Sequence, residues 1–414
     1  MSADRPLEGI RVLDFTSVLL GPYCTRLLSQ YGADVVKIEP PTGDVGRRVG
    51  LGKSPNMAST HLQVNRGKRS VVLDLKKRDV EEVLDQAFRW ADVVVLNTRK
   101  ASAARLGIGY EDARRVNPRI VYCAAIGYGS GGPYEAFGAY DDVIQAGAGL
   151  AALQSQIAQA PVYMGGAPAD KVVGLVACSA ILAALCRRDE GGVMGGEIEV
   201  PMLETMVEYL LLENLGGWSY LPHIGPPLFA RTASPDRRPF RTADGMISVV
   251  VYSDASWAAL LEFAGRGHLV GEPRLSSIGE RTQNTSFAYG LLAEIFAERS
   301  TSEWLSRLRE MDIAAMPLNT VEDLFEDPHL RAVEMFGDGT HPTEGPIRVV
   351  RPAVKFGGDA RPPERHAPSL GEHTEEFLVE CGLSSVQISA LAAKGVVGGI
   401  HGTEFDDAAG EEQA

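Results

Sequence analysis

The chain has 414 residues, of which 45% are hydrophobic and 23% are charged, and its formal net charge at pH 7 is −14. This composition is typical of a soluble globular protein of two or three domains, and it argues against a fibrous, wholly disordered or membrane-embedded chain. The acidic excess argues against nucleic-acid binding, which needs a basic surface. A local basic pocket for a phosphorylated ligand is compatible with it.

Strands and helices alternate through the first part of the chain. The residue pattern predicts strands at 10–15, 33–38, 70–75, 92–97 and 119–125, with helices at 23–31, 79–91 and 101–106. This alternation predicts an α/β fold with an open, mostly parallel sheet. Ligands of such sheets bind beyond the carboxyl ends of the strands. We therefore expect a site where the strands end, along the loops 16–20, 40–48, 97–100 and 127–133.

The later residues predict a second, smaller domain of the α+β class. A Gly-Gly-Ala-Pro turn leads into an apolar helix at 172–186, and a segment rich in Pro and Arg at 223–238 is typical of a linker. Beyond the linker, the pattern predicts a hairpin around Asp244-Gly245 and then helices at 257–263, 287–297 and 302–309.

These elements divide the chain into four segments. We predict a large domain at 1–225, a linker with the small domain at 226–334, a segment at 335–397 that returns to the large domain, and an acidic disordered tail at 398–414.

Cysteine and histidine spacing predicts neither disulfides nor a metal site. The five cysteines include no CxxC pair, and the eight histidines include no HxxxH or HExxH pair. No signal peptide is evident, and the apolar run at 172–186 is shorter than the about 20 residues that cross a bilayer. We expect a cytoplasmic protein with no membrane or nucleic-acid partner.

Asp170 is the first candidate for a catalytic role, because it lies between the Gly-Gly-Ala-Pro turn and the apolar helix. An aspartate in this position is most often a helix N-cap. It is also suited to be a nucleophile, since a carboxylate with an ordinary pKa near 3.9 is ionised at neutral pH without a general base. The residues alone leave both roles open.

Two further features are candidates for binding a phosphorylated substrate. Gly43–Gly46 and Gly127–Gly132 are loops that could approach a phosphate closely, but neither matches a dinucleotide or Walker motif. Basic residues cluster near the same predicted edge, where they would suit a polyphosphate, although each alone is typical of solvated surface charge. They are Arg47, Arg48, Arg66, Lys68, Arg69, Lys76, Lys100 and Arg105.

Tyr140 is the third candidate, because it directly precedes a Gly- and Ala-rich run. Its hydroxyl either donates a hydrogen bond to a substrate carboxylate or thioester, or packs at a turn.

The order of several short segments resembles the family III CoA-transferases, which include formyl-CoA:oxalate and carnitine CoA-transferases and the 2-methylacyl-CoA racemases (the CaiB/BaiF type). The resemblance spans nearly the whole chain except the acidic tail. The matching segments are Leu13–Thr16 with Gly21-Pro22, Gly32–Glu39, Gly43-Asp44, Asn65–Ser70, Leu73–Lys76, Ala91–Asn97, Gly127–Gly129 with Gly132-Pro133, Tyr140-Asp141, Pro168–Asp170, Arg238–Gly245 and Ala367–His373.

The resemblance implies a fold, an assembly and a reaction. It implies a Rossmann-like large domain built from both chain ends, a small domain, and an interlocked homodimer of ring-shaped subunits. It implies a CoA-transferase in which Asp170 is the nucleophile and forms aspartyl anhydride and aspartyl-CoA thioester intermediates. The acyl-CoA thioester is then a substrate, and no cofactor is bound permanently. The positions matched to CoA contacts are Leu73, Leu75, Lys76, Asn97, Thr98, Arg105 and, at the thioester, Tyr140.

The sequence differs from the patterns of particular family members at three places, and two alternative functions stay open. Leu19 stands where formyl-CoA transferases carry Gln, and the tetraglycine loop of those enzymes is absent from 223–238, so a formyl/oxalate specificity is disfavoured. Racemases typically have a His-Asp pair where Tyr140-Asp141 stands, and Tyr with a pKa near 10 is a poor second base. A racemase-like isomerase and a CoA-thioester-binding protein without turnover remain the alternatives.

The acid that accepts CoA is suggested by arginines near the linker. Arg231, Arg237, Arg238 and Arg241 could pair with a second carboxylate, so a dicarboxylate such as succinate is the expected substrate class.

Overall fold

The computed structural model describes residues 5–191, 194–357 and 365–399. The chain divides into two compact units. Unit 1 comprises the described residues of Met1–Ile144, Gly165–Met206 and Glu334–Ala414, and unit 2 comprises Gln145–Met164 and Val207–Val333.

Regular elements account for most of both units. Strands β1 to β12 are Arg11–Phe15, Asp34–Glu39, Arg69–Leu73, Val93–Leu96, Val121–Ile126, Gly196–Pro201, Phe240–Arg241, Met246–Val250, Ala314–Pro317, Phe336–His341, Gly345–Val350 and Val397–Gly398. Helices α1 to α16 are Leu20–Gln30, Ser59–Val64, Val80–Trp90, Lys100–Arg105, Tyr110–Val116, Asp141–Gly147, Leu150–Ala158, Pro168–Gly191, Met202–Asn214, Asp254–Phe263, Ile278–Gln283, Thr285–Phe296, Thr301–Glu310, Pro328–Ala332, Thr374–Glu380 and Ser385–Ala393.

A seven-stranded sheet is the centre of unit 1, and it confirms the predicted mostly parallel α/β sheet. Its order is β12-β3-β2-β1-β4-β5-β6, with β1 to β6 parallel and β12 antiparallel to β3. Strands such as Val93–Leu96 are buried along their whole length, as expected where helices cover both faces of a parallel sheet. From β1, the chain builds the sheet in one direction through β2 and β3 and then in the other through β4 to β6.

Helix α8 of unit 1 packs against α1, β5 and β6. Its 24 residues begin four residues before, and end five residues after, the predicted span 172–186. Residues Pro168–Arg188 are long and apolar enough to cross a membrane, although a packed helix of a globular protein passes the same test. At Gly174 the two helices come so close that an added Cβ would lie 2.8 Å from the carbonyl oxygen of Leu20.

Unit 2 contains its own sheet and core. Strands β7, β8 and β9 form an antiparallel sheet. The pairing of Arg241 with Met246 confirms the hairpin predicted around Asp244-Gly245. Helices α10, α12 and α13 cover the sheet through buried side chains that include Trp257, Phe296 and Trp304.

The division into units differs from the predicted domain boundaries. The chain passes into unit 2 after Met206 rather than near residue 225, and Gln145–Met164 also belongs to unit 2. That segment packs on α9, where Leu210 lies 3.3 Å from the position of a Cβ on Gly149. The predicted tail also begins too early, because β12 pairs Gly398 with Val72. Residues 400–414 of the tail lie outside the described residues.

We predict that Gly174→Ala destabilises the protein, although alanine favours a helix over glycine. The new methyl group meets backbone of α1 that cannot move freely, so the free energy of unfolding should fall by about 1–3 kcal/mol. Gly290→Ala is the matched control, because it lies within α12 and nothing is within 4 Å of its added Cβ. This control should gain roughly 0.5–1 kcal/mol. Urea denaturation measures both changes, and an equal gain in the two variants would refute the close packing at Gly174.

Candidate active site

The loop from β1 to α1 is anchored from both sides. On one side, Lys37 Nζ donates to the carbonyl of Thr16 at 2.6 Å and lies 2.9 Å from Asp44 Oδ2. Asp44 Oδ1 accepts the amide of Val18 at 3.1 Å. Val18 has φ 65°, which is strained for a β-branched residue. These contacts hold the loop in a conformation that the chain would not adopt by itself.

Asn97 anchors the same loop from the other side. Its side chain accepts the amide of Ser17 at 3.0 Å and donates to the carbonyl of Ser17 at 2.9 Å. Asn97 follows β4, and β4 lies next to β1 in the sheet. The two anchors therefore meet at the carboxyl ends of β1 and β4, where the order of strands reverses direction.

Buried ion pairs stabilise the strands that end at this edge of the sheet. Burial alone would raise the pKa of Asp14, but Lys68 and Lys37, together with hydrogen bonds from Thr16 and Thr25, hold it below its ordinary value. Lys68 Nζ lies 3.0 Å from Asp14 Oδ2, and both side chains are fully buried. The carboxylate is therefore charged at neutral pH, and it fixes β1 against β3.

Glu39 and Arg47 form a second buried pair. Arg47 donates to both carboxylate oxygens of Glu39 at 2.6 Å. Burial opposes ionisation of Glu39, but the guanidinium outweighs it and lowers the pKa of that carboxyl to about 2. The pair ties β2 to the turn that carries Asp44.

Asp170 is the third residue of α8 and not its N-cap, so the N-cap interpretation is wrong. The helix begins at Pro168, after Gly166 and Ala167 with φ 88° and 50°, and proline is well suited to the first helical position because its φ is already fixed. Asp170 lies one turn before Gly174, and Gly174 contacts the first residue of α1. This contact brings Asp170 toward the end of α1 that follows the anchored loop.

Asp141 is the immediate neighbour of Asp170. The amide of Asp170 donates to Asp141 Oδ2 at 3.1 Å, and Asp141 begins α6. Burial and the negative charge of Asp141 raise the pKa of Asp170 to about 6, which the nearby Lys171 opposes only in part. The Asp170 carboxylate accepts no hydrogen bond from the described residues. It is half-buried, charged at neutral pH and held beside a like charge.

Tyr140 lies next to this carboxylate pair in the chain, directly before Asp141. Its side chain is 72% exposed, so packing at a turn, the alternative to a substrate contact, does not describe it. The sequence pattern predicts a role for Tyr140 but none for Asp141. The two aspartates that follow Tyr140 are visible in the sequence. Their spacing, however, does not show that the side chain of Asp141 accepts a hydrogen bond from the amide of Asp170.

The residues matched to CoA contacts lie at the carboxyl edge of the sheet. Leu73 ends β3 and is buried in the core, with Leu75 packed against the same core. Lys76 is exposed in the next loop, and Thr98 follows Asn97 after β4. Three strand spacings separate β3 from β4, which is about 14 Å. Arg105 is exposed at the end of α4.

Half of the predicted basic set forms ion pairs within the chain and is not available to a phosphate. Lys100 contacts Glu197 and Glu199, and Arg69 contacts Asp34, Glu376 and Glu380. Arg47 and Lys68 form the buried pairs described above. Arg66 donates to the carbonyl of Val350, and Arg48 to that of Thr42. Of the set, Arg48, Lys76 and Arg105 are exposed with no ion pair to a described residue, and Arg48 is held by hydrogen bonds to Thr42 and Asn56.

The amides of the glycine-rich loops donate hydrogen bonds to carboxylates of the chain itself. This differs from the expectation that these loops approach a phosphate. The amides of Gly129, Ser130 and Gly131 donate to the carboxylates of Glu204, Glu199 and Glu135. In the earlier loop, the amide of Gly46 donates to Asp44 at 2.8 Å. Bound carboxylates thus occupy the donors that a phosphate would need.

The four arginines near the predicted linker lie in unit 2. Arg231 is half-buried, and Arg237, Arg238 and Arg241 are exposed. The five cysteines are unpaired. Within 5–191, 194–357 and 365–399, no group of three or more His, Cys, Asp or Glu side chains is arranged to hold a metal ion.

Comparisons with known proteins agree along nearly the whole chain. The family model described as CoA-transferase family III matches residues 7–374. A succinate–glutarate CoA-transferase of Agrobacterium fabrum is 30% identical over 91% of this chain and 95% of its own. A formyl-CoA:oxalate CoA-transferase of Streptomyces coelicolor is 32% identical over 95% of this chain and 99% of its own. The crystal structure of a CaiB/BaiF family protein from Brucella suis has a TM-score of 0.76 and 27% identity, covering 91% of this chain and 100% of that one.

We predict that Asp170→Asn stabilises the protein at pH 8 but not at pH 4. Folding raises the pKa of Asp170 from 3.8 to about 6, so the folded chain binds more protons than the unfolded chain between these values. The contribution of this carboxyl to stability is therefore full below its unfolded pKa and is lost as the pH rises through about 6. The amide carries no charge and avoids that loss. Melting temperatures at the two pH values measure the effect.

Asp142→Asn is the control for this experiment, because Asp142 is exposed on the same short helix as Asp141. It should melt like the wild type at both pH values. Equal melting of Asp170→Asn and wild type at pH 8 would show that the carboxylate is not destabilised by its surroundings.

Proposed function

The chain belongs to CoA-transferase family III, and from this premise we propose that it transfers CoA from an acyl-CoA thioester to a carboxylic acid through covalent intermediates on Asp170. The single observation that carries the proposal is the half-buried carboxylate of Asp170, raised in pKa to about 6 beside Asp141. At pH 7 roughly nine in ten copies of such a group are ionised, so it needs no general base.

Four steps complete the exchange. The Asp170 carboxylate attacks the thioester carbonyl, the C–S bond breaks, and CoA leaves as its thiolate with a mixed anhydride on Asp170. The thiolate then attacks the aspartyl carbonyl, which releases the donor acid and forms an aspartyl-CoA thioester. The acceptor carboxylate attacks this thioester, expels the thiolate and forms a second anhydride. Finally the thiolate attacks the acyl carbon of the acceptor, which releases the new acyl-CoA and restores the Asp170 carboxylate.

The neighbouring carboxylate favours the first of these steps. Asp141 and burial both destabilise the charged form of Asp170. Acylation removes that charge, so the covalent intermediates are free of the repulsion that the resting carboxylate suffers. The higher pKa also makes the carboxylate a stronger nucleophile than an ordinary aspartate. Asp141 is therefore proposed as a positioning residue, through its hydrogen bond with the Asp170 amide.

We propose that CoA enters along the carboxyl edge of a Rossmann-like sheet. The order β3-β2-β1-β4-β5-β6 is that of the doubly wound nucleotide-binding folds, whose ligands bind where the strand order reverses. Asn97 lies at this point, and Thr98, Leu73, Leu75, Lys76 and Arg105 lie along the same edge. Lys76 and Arg105 are exposed cations along this edge with no ion pair to a described residue, and they could meet the CoA phosphates. CoA is a substrate here, and no bound cofactor is required.

A dicarboxylic acid is the proposed acceptor or donor acid. The two relatives described above are named for glutarate and oxalate, both of which carry two carboxylates. Of the four arginines near the linker, Arg237, Arg238 and Arg241 have exposed guanidinium groups and are candidates for pairing with the second carboxylate, whereas Arg231 is half-buried and lines a cavity of unit 2.

We predict that hydroxylamine traps the intermediate as a hydroxamate at Asp170. The wild type and Asp142→Asn, incubated with acyl-CoA and quenched with hydroxylamine, should carry the label, and Asp170→Asn should carry none. Peptide mass spectrometry locates it. Succinyl-CoA and butyryl-CoA form a matched donor pair with the same carbon chain, and succinyl-CoA should label at least about tenfold faster if a second carboxylate contributes a charge-assisted pair.

Three results would contradict parts of this proposal. Equal labelling by the two donors would refute a preference for dicarboxylates. Binding of CoA thioesters without a label from any donor would refute the covalent mechanism. Solvent deuterium appearing at the α-carbon of an acyl-CoA, with no acceptor acid present, would identify a racemase-like isomerase instead.

We also propose that the active form is a homodimer of interlocked subunits. Leu175 on α8 and Leu212 on α9 are 48% and 83% exposed, and Leu221 and Ile224 are 89% and 73% exposed. Exposed apolar side chains of this size, on both units, indicate surfaces that another chain covers.

Light scattering at micromolar concentration should give about twice the 44.4 kDa mass of the chain. Leu212→Glu places a charge on the exposed apolar surface and should lower that mass, while Ser389→Glu, at an exposed polar position of α16, is the control and should not. A wild-type mass of one chain at that concentration would refute the dimer.

A further inference from the structure

A cavity of about 240 Å³ lies entirely within unit 2 and has no part in the function proposed above. Its floor consists of Val249, Trp257, Ala288 and Leu292, which are at most 7% exposed. Tyr252 and Ile278, both well exposed, stand at its mouth. The cavity is thus an apolar recess open to solvent.

Two arginines line the cavity, and they differ in their partners. Arg281 is neutralised, since its Nη2 lies 2.7 Å from Asp254 Oδ1 and also donates to the carbonyl of Tyr252. Arg231 makes no hydrogen bond or ion pair with any residue of the described chain. None of the described lining residues is acidic. Arg231 therefore brings one uncompensated positive charge to an apolar recess.

We infer that this cavity binds a small aryl carboxylate, with the ring against Trp257 and the carboxylate on Arg231. Drug-sized ligands occupy roughly 300–1,000 Å³, so a cavity of about 240 Å³ suits a single ring with one short polar group. Trp257, Tyr289 and Phe229 give it aromatic walls, which favour an aromatic over a linear aliphatic body. A guanidinium pairs with a carboxylate through two parallel hydrogen bonds.

The ring of such a ligand matches the apolar walls of the cavity, and its carboxylate matches the charge of Arg231. The ring removes apolar wall surface from water, which supplies most of the affinity. The carboxylate supplies the counter-charge that Arg231 lacks, which supplies the specificity for an anion. A neutral aromatic of the same shape satisfies the first feature and not the second. Comparison of benzoate with benzamide therefore separates the two contributions.

The test is isothermal titration of the full chain with benzoate and benzamide, with quenching of tryptophan fluorescence as a second readout because Trp257 lines the cavity. Benzoate should bind, and benzamide should bind at least about tenfold more weakly. Arg231→Gln should weaken benzoate to the level of benzamide. Arg309→Gln changes an exposed arginine of α13 outside the cavity and should leave benzoate binding unchanged.

Ala288→Leu tests the location of the ligand, because a larger side chain fills the recess. It should abolish binding, whereas Ala293→Leu, at an exposed position of α12, should not. If Ala288→Leu fails to fold, Arg231→Gln decides the question, since the Arg231 side chain contributes no contact to a described partner. Asp170→Asn should bind benzoate like the wild type, which distinguishes this cavity from the acceptor site of CoA transfer.

The inference fails if the wild type does not bind benzoate, if benzamide binds as tightly, or if Arg231→Gln leaves the affinity unchanged. Loss of benzoate binding in Asp170→Asn would also overturn it, because the ligand would then occupy the reaction site. None of these results bears on the hydroxamate experiment, so the two proposals stand or fall separately.

Discussion

The contact of Lys37 and Asp44 with the loop after β1 is the constraint on which the rest of the site depends. Lys37 holds the carbonyl of Thr16, Asp44 holds the amide of strained Val18, and Asn97 holds Ser17 from the neighbouring strand. The fixed loop sets where α1 begins. The first residue of α1 contacts α8 at Gly174. The position of Asp170 is therefore determined through two helices by a few polar contacts at the ends of β1 and β4.

The same contacts explain why an acidic protein keeps so many cations in its interior. A buried charge without a partner costs several kcal/mol, so each buried cation requires an acid within hydrogen-bond distance. Lys68 has Asp14, Arg47 has Glu39 and Lys37 has Asp44. These pairs add little to stability as pairs, but removal of one partner leaves the other uncompensated. The three ion pairs fix the positions of strands and turns at this edge of the sheet.

Asp141 and Asp170 show the opposite arrangement, since two carboxylates are held close together and Asp141 raises the pKa of Asp170. Lys171 reduces the repulsion only in part, and the pKa of Asp170 stays near 6. Ionisable groups with shifted pKa values are common at reactive sites, because what destabilises the resting group favours its reaction. The buried ion pairs connect the strands and turns of unit 1 that support this carboxylate pair. The ion pairs of unit 1 thus stabilise the charged form of their carboxylates, whereas the surroundings of Asp170 destabilise its charged form.

The sequence by itself determined the parallel sheet, the hairpin of unit 2 and Asp170 as a candidate, since local patterns of apolar residues, glycine and proline encode them. Tertiary structure decided what depends on residues far apart in the chain. Asp141 meets Asp170 across 29 positions, and Arg69 meets Glu380 across 311. The basic set is therefore typical of a phosphate site in sequence, although half of it is neutralised by acids that folding brings near. Charge type is local information, but charge pairing is not, because the energy of a pair depends on distance and burial that no sequence interval specifies.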